Sequence, residues 1–107
     1  MAVDLPQAAW NEIRAGELMR IDALVDTDRP VTAFARLNLR HGPNIERSVG
    51  ELKLAGVHEE AEFDLDELLA SKPIIEAAWI EILFEVSPMT QIVLRDLTAS
   101  RRPRAQF

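Results

Sequence analysis

The side chains best suited to chemistry lie in one acidic run and at two histidines. Glu59, Glu60, Glu62, Asp64, Asp66 and Glu67 crowd into residues 59–67. Glu62, Asp64 and Asp66 alternate with Ala61, Phe63 and Leu65, so an extended chain projects all three carboxylates from one face. Oxygen ligands of this kind suit Ca²⁺. A calcium-binding loop, however, places turn residues such as glycine between its ligands, and this run has none. Nor do neighbouring carboxylates on one strand face each other across a cleft, as a paired-carboxylate hydrolase requires. The run reads as the solvated face of a strand, with charges that deter edge-to-edge association. No metal and no cofactor is expected.

Nucleophilic catalysis needs a nucleophile, a base and a group to orient the base. The chain has no cysteine, and its two histidines are His41, in a turn, and His58, just before the acidic run. Neither sits in a nucleophile motif, and four glycines form no phosphate-cradling loop. The residues therefore point away from an enzyme.

The elements that would position these residues are strands. Residues 19–27 place Met19, Ile21, Ala23 and Val25 on one side, with Arg20, Asp22 and Asp26 on the other. Residues 31–39 repeat the pattern with Val31, Ala33, Ala35, Leu37 and Leu39 against Thr32, Arg36 and Asn38. His41-Gly42-Pro43-Asn44 is a turn signal. A weaker strand covers 47–54, with a register shift at Gly50 that suggests a bulge. Residues 60–66 form a further strand, and 66–71 could add a helical turn before Pro73. The most apolar segment, 77–86, carries Ala78, Ile80, Ile82, Phe84 and Val86 on one face. Ser87-Pro88-Met89-Thr90 then reads as a hairpin loop into a return strand over 91–100. One helix is expected over 6–15, with Pro6 at its start and Gly16 beyond its end. The expected fold is a single all-β domain over 1–107, an antiparallel two-sheet, jelly-roll-like β-sandwich with one short N-terminal helix.

Charge narrows the partners. Twelve basic and 18 acidic residues give a net charge of −6. Arg101, Arg102 and Arg104 stand in an acid-free tail at 101–107, leaving the body more acidic still. A nucleic-acid binder needs a basic stripe, so nucleic acid is not an expected partner. No apolar run approaches a membrane span, and no signal-peptide pattern opens the chain, so synthesis and folding are expected in the cytoplasm. Phe34, Trp79 and Leu83 interrupt otherwise polar strand faces. They could form a sugar platform, a subunit interface, or a seat for the N-terminal helix. The interface reading leads, because a contiguous exposed apolar patch more often marks assembly. The arginines of the tail are the second interface candidates, suited to an acidic neighbour.

Two stretches carry a family resemblance. Arg36-Leu37-Asn38-Leu39-Arg40-His41-Gly42-Pro43-Asn44 is one. Gln91-Ile92-Val93-Leu94-Arg95-Asp96-Leu97-Thr98, followed by Ser100-Arg101-Arg102-Pro103-Arg104, is the other. Together they resemble a family of uncharacterised bacterial proteins with a carbohydrate-binding-type β-sandwich. In size and pattern the chain is similar to short members that serve as head-spike base proteins on phage-like gene transfer agent particles. The resemblance implies a structural role at the capsid vertex, a pentameric homo-oligomer joining capsid protein to a receptor-binding spike fibre. It assigns no catalytic residue. A stand-alone carbohydrate-binding module, with a glycan as partner, is the alternative expectation.

Overall fold

The computed structural model describes residues 2–13, 16–27, 32–55, 58–65, 74–85 and 92–103. Its elements run β1 (Ala2–Asp4), α1 (Gln7–Trp10), β2 (Glu17–Thr27), β3 (Thr32–His41), β4 (Asn44–Glu51), β5 (Lys53–Ala55), β6 (His58–Asp64), β7 (Ala77–Glu85) and β8 (Ile92–Pro103). Two four-stranded antiparallel sheets pack face to face, in the orders β1-β7-β3-β4 and β5-β6-β2-β8. The fold is thus the expected all-β sandwich with one short N-terminal helix. Only β3–β4 and β5–β6 join neighbours within a sheet; every other link crosses between sheets. No described helix is long and apolar enough to cross a membrane.

Alternation explains the layers. In β2 the side chains of Met19, Ile21 and Ala23 are fully buried, and in β3 those of Ala33, Ala35, Leu37 and Leu39. Opposite them, β7 contributes Ala78, Ile80 and Ile82, and β6 contributes Ala61 and Phe63. Each large aliphatic chain removed from water in this way contributes about 1.5–3 kcal/mol. A one-residue slip of any of these strands would turn its apolar set outward, so the pattern fixes register as well as fold.

The structure corrects four expectations. Gly50 is not a bulge: it pairs in regular register with Ala35. The pattern changes because β4 ends at Glu51 and the chain then changes sheets. Leu52, buried at the crossing, donates its amide to the Ala33 carbonyl at 2.9 Å. Gly50 itself points inward, where an added Cβ would lie 3.6 Å from the Ala61 Cβ and from the Phe63 ring.

Nor do the strands before and after residues 86–91 form a hairpin, since β7 and β8 belong to different sheets. The loop between them lies outside the described residues, as does the helical turn expected over 66–71. The helix is shorter than expected and ends at Trp10, because Asn11 is already extended at φ −74°, ψ 139°. Gly16, at φ 79°, therefore serves the entry into β2 and not a helix cap. Finally, β8 runs through Arg101 and Arg102 to Pro103, so the expected tail begins as strand; Arg104 lies outside the described residues.

Helix α1 follows β1 and packs on both β7 and β8. Trp10 and Ile13 rest against the core, and the indole Nε1 donates to the Leu5 carbonyl at 3.2 Å. A single helical turn survives here because packing and that bond hold it, since four residues have no helical stability of their own.

Candidate functional site

The even positions of β3 and the odd positions of β7 and β4 share the outer face of the β1-β7-β3-β4 sheet. Antiparallel pairing sets Phe34 opposite Leu83 and Glu51, Arg36 opposite Glu81 and Val49, and Asn38 opposite Trp79 and Arg47. The three predicted residues Phe34, Trp79 and Leu83 therefore lie on one surface. Phe34 and Leu83 are direct cross-strand neighbours, while Trp79 sits four positions along β7 from Leu83, beyond Glu81.

Between them lies a polar network that the sequence reading did not find. Arg36 and Glu81 form a bidentate pair, with Nε to Oε1 at 3.0 Å and Nη2 to Oε2 at 2.7 Å. Asn38 Nδ2 donates to Glu81 Oε1 at 2.9 Å, and also reaches the carbonyls of Arg36 at 3.2 Å and Trp79 at 3.4 Å. Its Oδ1 accepts from Arg47 Nε at 3.1 Å. Asn38 is 0% exposed although it sits on the outward side of its strand. The Arg36 guanidinium holds the Glu81 carboxyl below the usual carboxylate range; desolvation opposes it less strongly, and the Asn38 amide adds a still smaller lowering.

Apolar side chains rim this network. Val49 is 57% exposed and Leu83 39%, and Ile45 lies on the same face opposite Arg40. Three of the five exposed large hydrophobic residues among those described therefore belong to this one face. Val49 and Ile45 were missed because β4 is weakly patterned, and only its pairing with β3 shows which way they point.

The second sheet presents a different surface. On its outer side Glu60, Asp22 and Thr98 share one cross-strand row, and Glu62, Arg20 and Ser100 the next. Asp22, His58 and Glu60 bring potential ligand atoms within 4.8 Å of one another. This triplet differs from the acidic set read along β6, because pairing of β6 with β2 supplies Asp22. Arg20 already lies among them: its Nη2 is 2.8 Å from Asp22 Oδ1 and 3.1 Å from Glu60 Oε2. His58 Nε2 is 3.0 Å from Asp22 Oδ1. A guanidinium there supplies the positive charge that a cation would otherwise bring, which fits an ion-paired strand face. Asp66 of the sequence-level acidic set lies outside the described residues.

Arg101 and Arg102, predicted as tail contacts, diverge because strand geometry sends them to opposite sides. Arg102 faces out and donates from Nη2 to Glu62 Oε1 at 2.8 Å. Arg101 faces inward opposite Met19, with Nη1 buried and 3.5 Å from Glu17 Oε1. Glu59 also turns inward, opposite Ala23. Its Oε2 is buried without a hydrogen-bond partner among the described residues, and burial pushes its carboxyl pKa up.

Among the described residues, two shallow depressions bear on these surfaces. One, of about 350 Å³, is lined by Gly50, Glu51, Lys53, Glu60, Ala61 and Glu62 at the β4/β5 side of the sandwich. The other, of about 220 Å³, is lined by Asp22, Ala23, Leu24, His58, Asp96 and Thr98. Its rim brings the Thr98 hydroxyl, the His58 imidazole and the Asp22 carboxylate together, with His58 Nε2 3.0 Å from Asp22 Oδ1 and 3.4 Å from Arg20 Nη2.

No curated protein and no solved structure matches the chain. A family model matches it from end to end, over residues 1–107, and on that match the chain belongs to a family of unknown function, DUF6478.

Proposed function

We propose that the chain is a non-enzymatic structural module that binds another protein through the outer face of the β1-β7-β3-β4 sheet. One observation carries this reading. Phe34, Ile45, Val49, Trp79 and Leu83 share a face whose polar centre is already cross-linked by Arg36, Glu81, Asn38 and Arg47. A preformed network loses little side-chain freedom on association, and an apolar rim supplies the area to be buried. Arginine and tryptophan are also the residues that most often anchor protein interfaces.

The resemblance at 36–44 and 91–104 supplies the partner class. The module is a homo-oligomeric base at a capsid vertex, joining capsid protein to a spike fibre on a phage-like particle. The test is to purify particles from producing cells and quantify this chain by mass spectrometry. Wild type is expected at a fixed ratio to capsid and fibre proteins. The double substitution Val49→Asp with Leu83→Asp, with its melting temperature checked, should be lost from particles. Recovery of the wild-type chain away from particles would sink the reading. A monomer that binds glycans on an array, and loses them when Trp79→Ala is introduced, would put the carbohydrate-binding alternative in its place.

A further inference from the structure

The four sheet edges are unequal. β1 and β5 are three residues each, β4 is eight and β8 is twelve. Among the described residues β8 pairs with β2 alone, so its other side is a sheet edge. Long edges invite another strand.

The edge has a bounded, regular run. At one end its register with β2 shifts between Leu24 and Val25, leaving Arg95 as the extra residue before Asp96. At the other end stands Pro103, which has no amide to donate. The seven residues between, Asp96 to Arg102, have Ala99 at their centre. The Leu97 amide donates to the carboxylate of its own neighbour, Asp96 Oδ1, at 3.0 Å. That bond places the Leu97 amide on the side away from β2. By the alternation of an antiparallel ladder, the amides of Ala99 and Arg101 point the same way. Asp96, Thr98, Ser100 and Arg102 are exposed on the outer face.

We infer that β8 pairs antiparallel with β8 of a second copy about a two-fold axis at Ala99, making one continuous eight-stranded sheet. This goes beyond the face reading above and uses a different surface. Charge selects the register. Directly opposed residues must share a face, so only pairings whose residue numbers have an even sum are open. With Ala99 opposite itself, Asp96 meets Arg102 of the second copy twice by symmetry, and Thr98 meets Ser100. Moving the axis to Thr98 instead sets Asp96 against Ser100 and loses both ion pairs. Moving it to Ser100 sets Arg102 against Thr98 and carries the register of Asp96 past Pro103, where β8 ends. In the Ala99 register, Leu97, Ala99 and Arg101 are the hydrogen-bonded positions. The Leu97 amide passes from Asp96 to the Arg101 carbonyl of the other copy, which frees the Asp96 carboxylate for the N–H groups of Arg102 that are not given to Glu62. The Asp96 and Thr98 pairs fall at the non-hydrogen-bonded positions, where side chains lie closest.

Sedimentation equilibrium of the full chain tests the inference, with melting temperature as the folding control. Wild type is expected to dimerise. Asp96→Arg opposes like charges twice and should weaken the dimer by about tenfold or more. The charge-reversed double variant Asp96→Arg with Arg102→Asp should restore it, while Val49→Asp with Leu83→Asp should leave it intact. Hydrogen exchange of the wild type gives a reading that needs no variant. Protection at Leu97, Ala99 and Arg101 should rise with protein concentration while that at Arg47 and Val49 does not. A wild type that stays monomeric at several hundred micromolar overturns the inference. So does an assembly that Asp96→Arg leaves unchanged, or one that the second charge reversal fails to rescue. Loss of the dimer in the Val49/Leu83 variant alone would assign self-association to the face instead.

Discussion

Asn38→Ala tests whether the polar centre of the outer face is structural glue or decoration. Asn38 has no exposed surface and uses both ends of its amide. Its firm bonds are those to Glu81 Oε1 at 2.9 Å and from Arg47 Nε at 3.1 Å. The contacts to the Arg36 and Trp79 carbonyls, at 3.2 and 3.4 Å, are longer and share one nitrogen. A net hydrogen bond is worth about 1 kcal/mol, and the two long contacts together count as about one more. Alanine carries no amide to leave unpaired, and Glu81 and Arg47 can regain water. The expected loss is therefore about 2–3 kcal/mol, or roughly 10–20 °C in melting temperature for a domain of this size. Urea denaturation at pH 7 reads it, and an unchanged m-value shows that the mutant still unfolds from the same compact state. A loss below about 0.5 kcal/mol would refute the reasoning, because that is the scale of an ordinary surface substitution. The network would then be an incidental set of surface contacts, and the claim of a preformed interface would lose its physical basis.

Two carboxylates should bend the pH–stability curve in opposite directions. Glu81 is held below the usual carboxylate range by Arg36, so its contribution is complete above that range and lost as pH falls through its folded pKa; Glu81→Gln should flatten the acid limb of pH-dependent urea titrations. Glu59 is pushed up by burial, so the folded state binds the extra proton and stability falls as pH rises through the interval above the usual carboxylate pKa; Glu59→Gln should remove that decline and raise neutral-pH stability. Gly50→Ala should be neutral or stabilise by about 0.5 kcal/mol, because its new Cβ meets only ordinary 3.6 Å contacts, whereas Gly42→Ala, at φ 58°, should cost about 1 kcal/mol. Denaturant midpoints separate the two. Millimolar Ca²⁺ or a chelator should leave the melting temperature unchanged, since Arg20 already bridges Asp22 and Glu60; a calcium-dependent rise would show a native-state ion site instead.

The layers were legible because burial imposes a period of two. Met19, Ile21, Ala33, Leu37, Leu39, Ile80 and Ile82 all read correctly as core. Sheet partners were not legible, because alternation says which side a residue faces and nothing about which strand lies beside it. That is why 77–86 and 91–100 looked like a hairpin although β7 and β8 occupy different sheets. The same limit hid the site. Phe34, Trp79 and Leu83 stood out individually as apolar residues on polar faces. Asn38, however, looked like one more solvated position, and only its placement between Trp79 and Arg47 buries it. Arg101 and Arg102 looked equivalent as a charged tail, yet extending β8 to Pro103 sends one in and one out.

The proposed contacts use surfaces on different sheets: the face is built from β7, β3 and β4, and the edge from β8. Pairing at β8 would occupy backbone groups and leave exposed Val49 and Leu83, with half-buried Trp79, open to a second partner. Two copies joined at Ala99 would then present two identical faces, and a partner array that repeats at the same spacing would be held by both together. Multivalent capture of this kind strengthens weak individual contacts without adding any new ones. The arrangement makes the two variants non-equivalent in a measurable way. Val49→Asp with Leu83→Asp should abolish partner binding at every protein concentration. Asp96→Arg should preserve the affinity of each single face, measured on a sparsely coated surface, and lose only the additional retention on a densely coated one. Equal losses on both surfaces would mean that face and edge are not separable, and that β8 shapes the binding face itself.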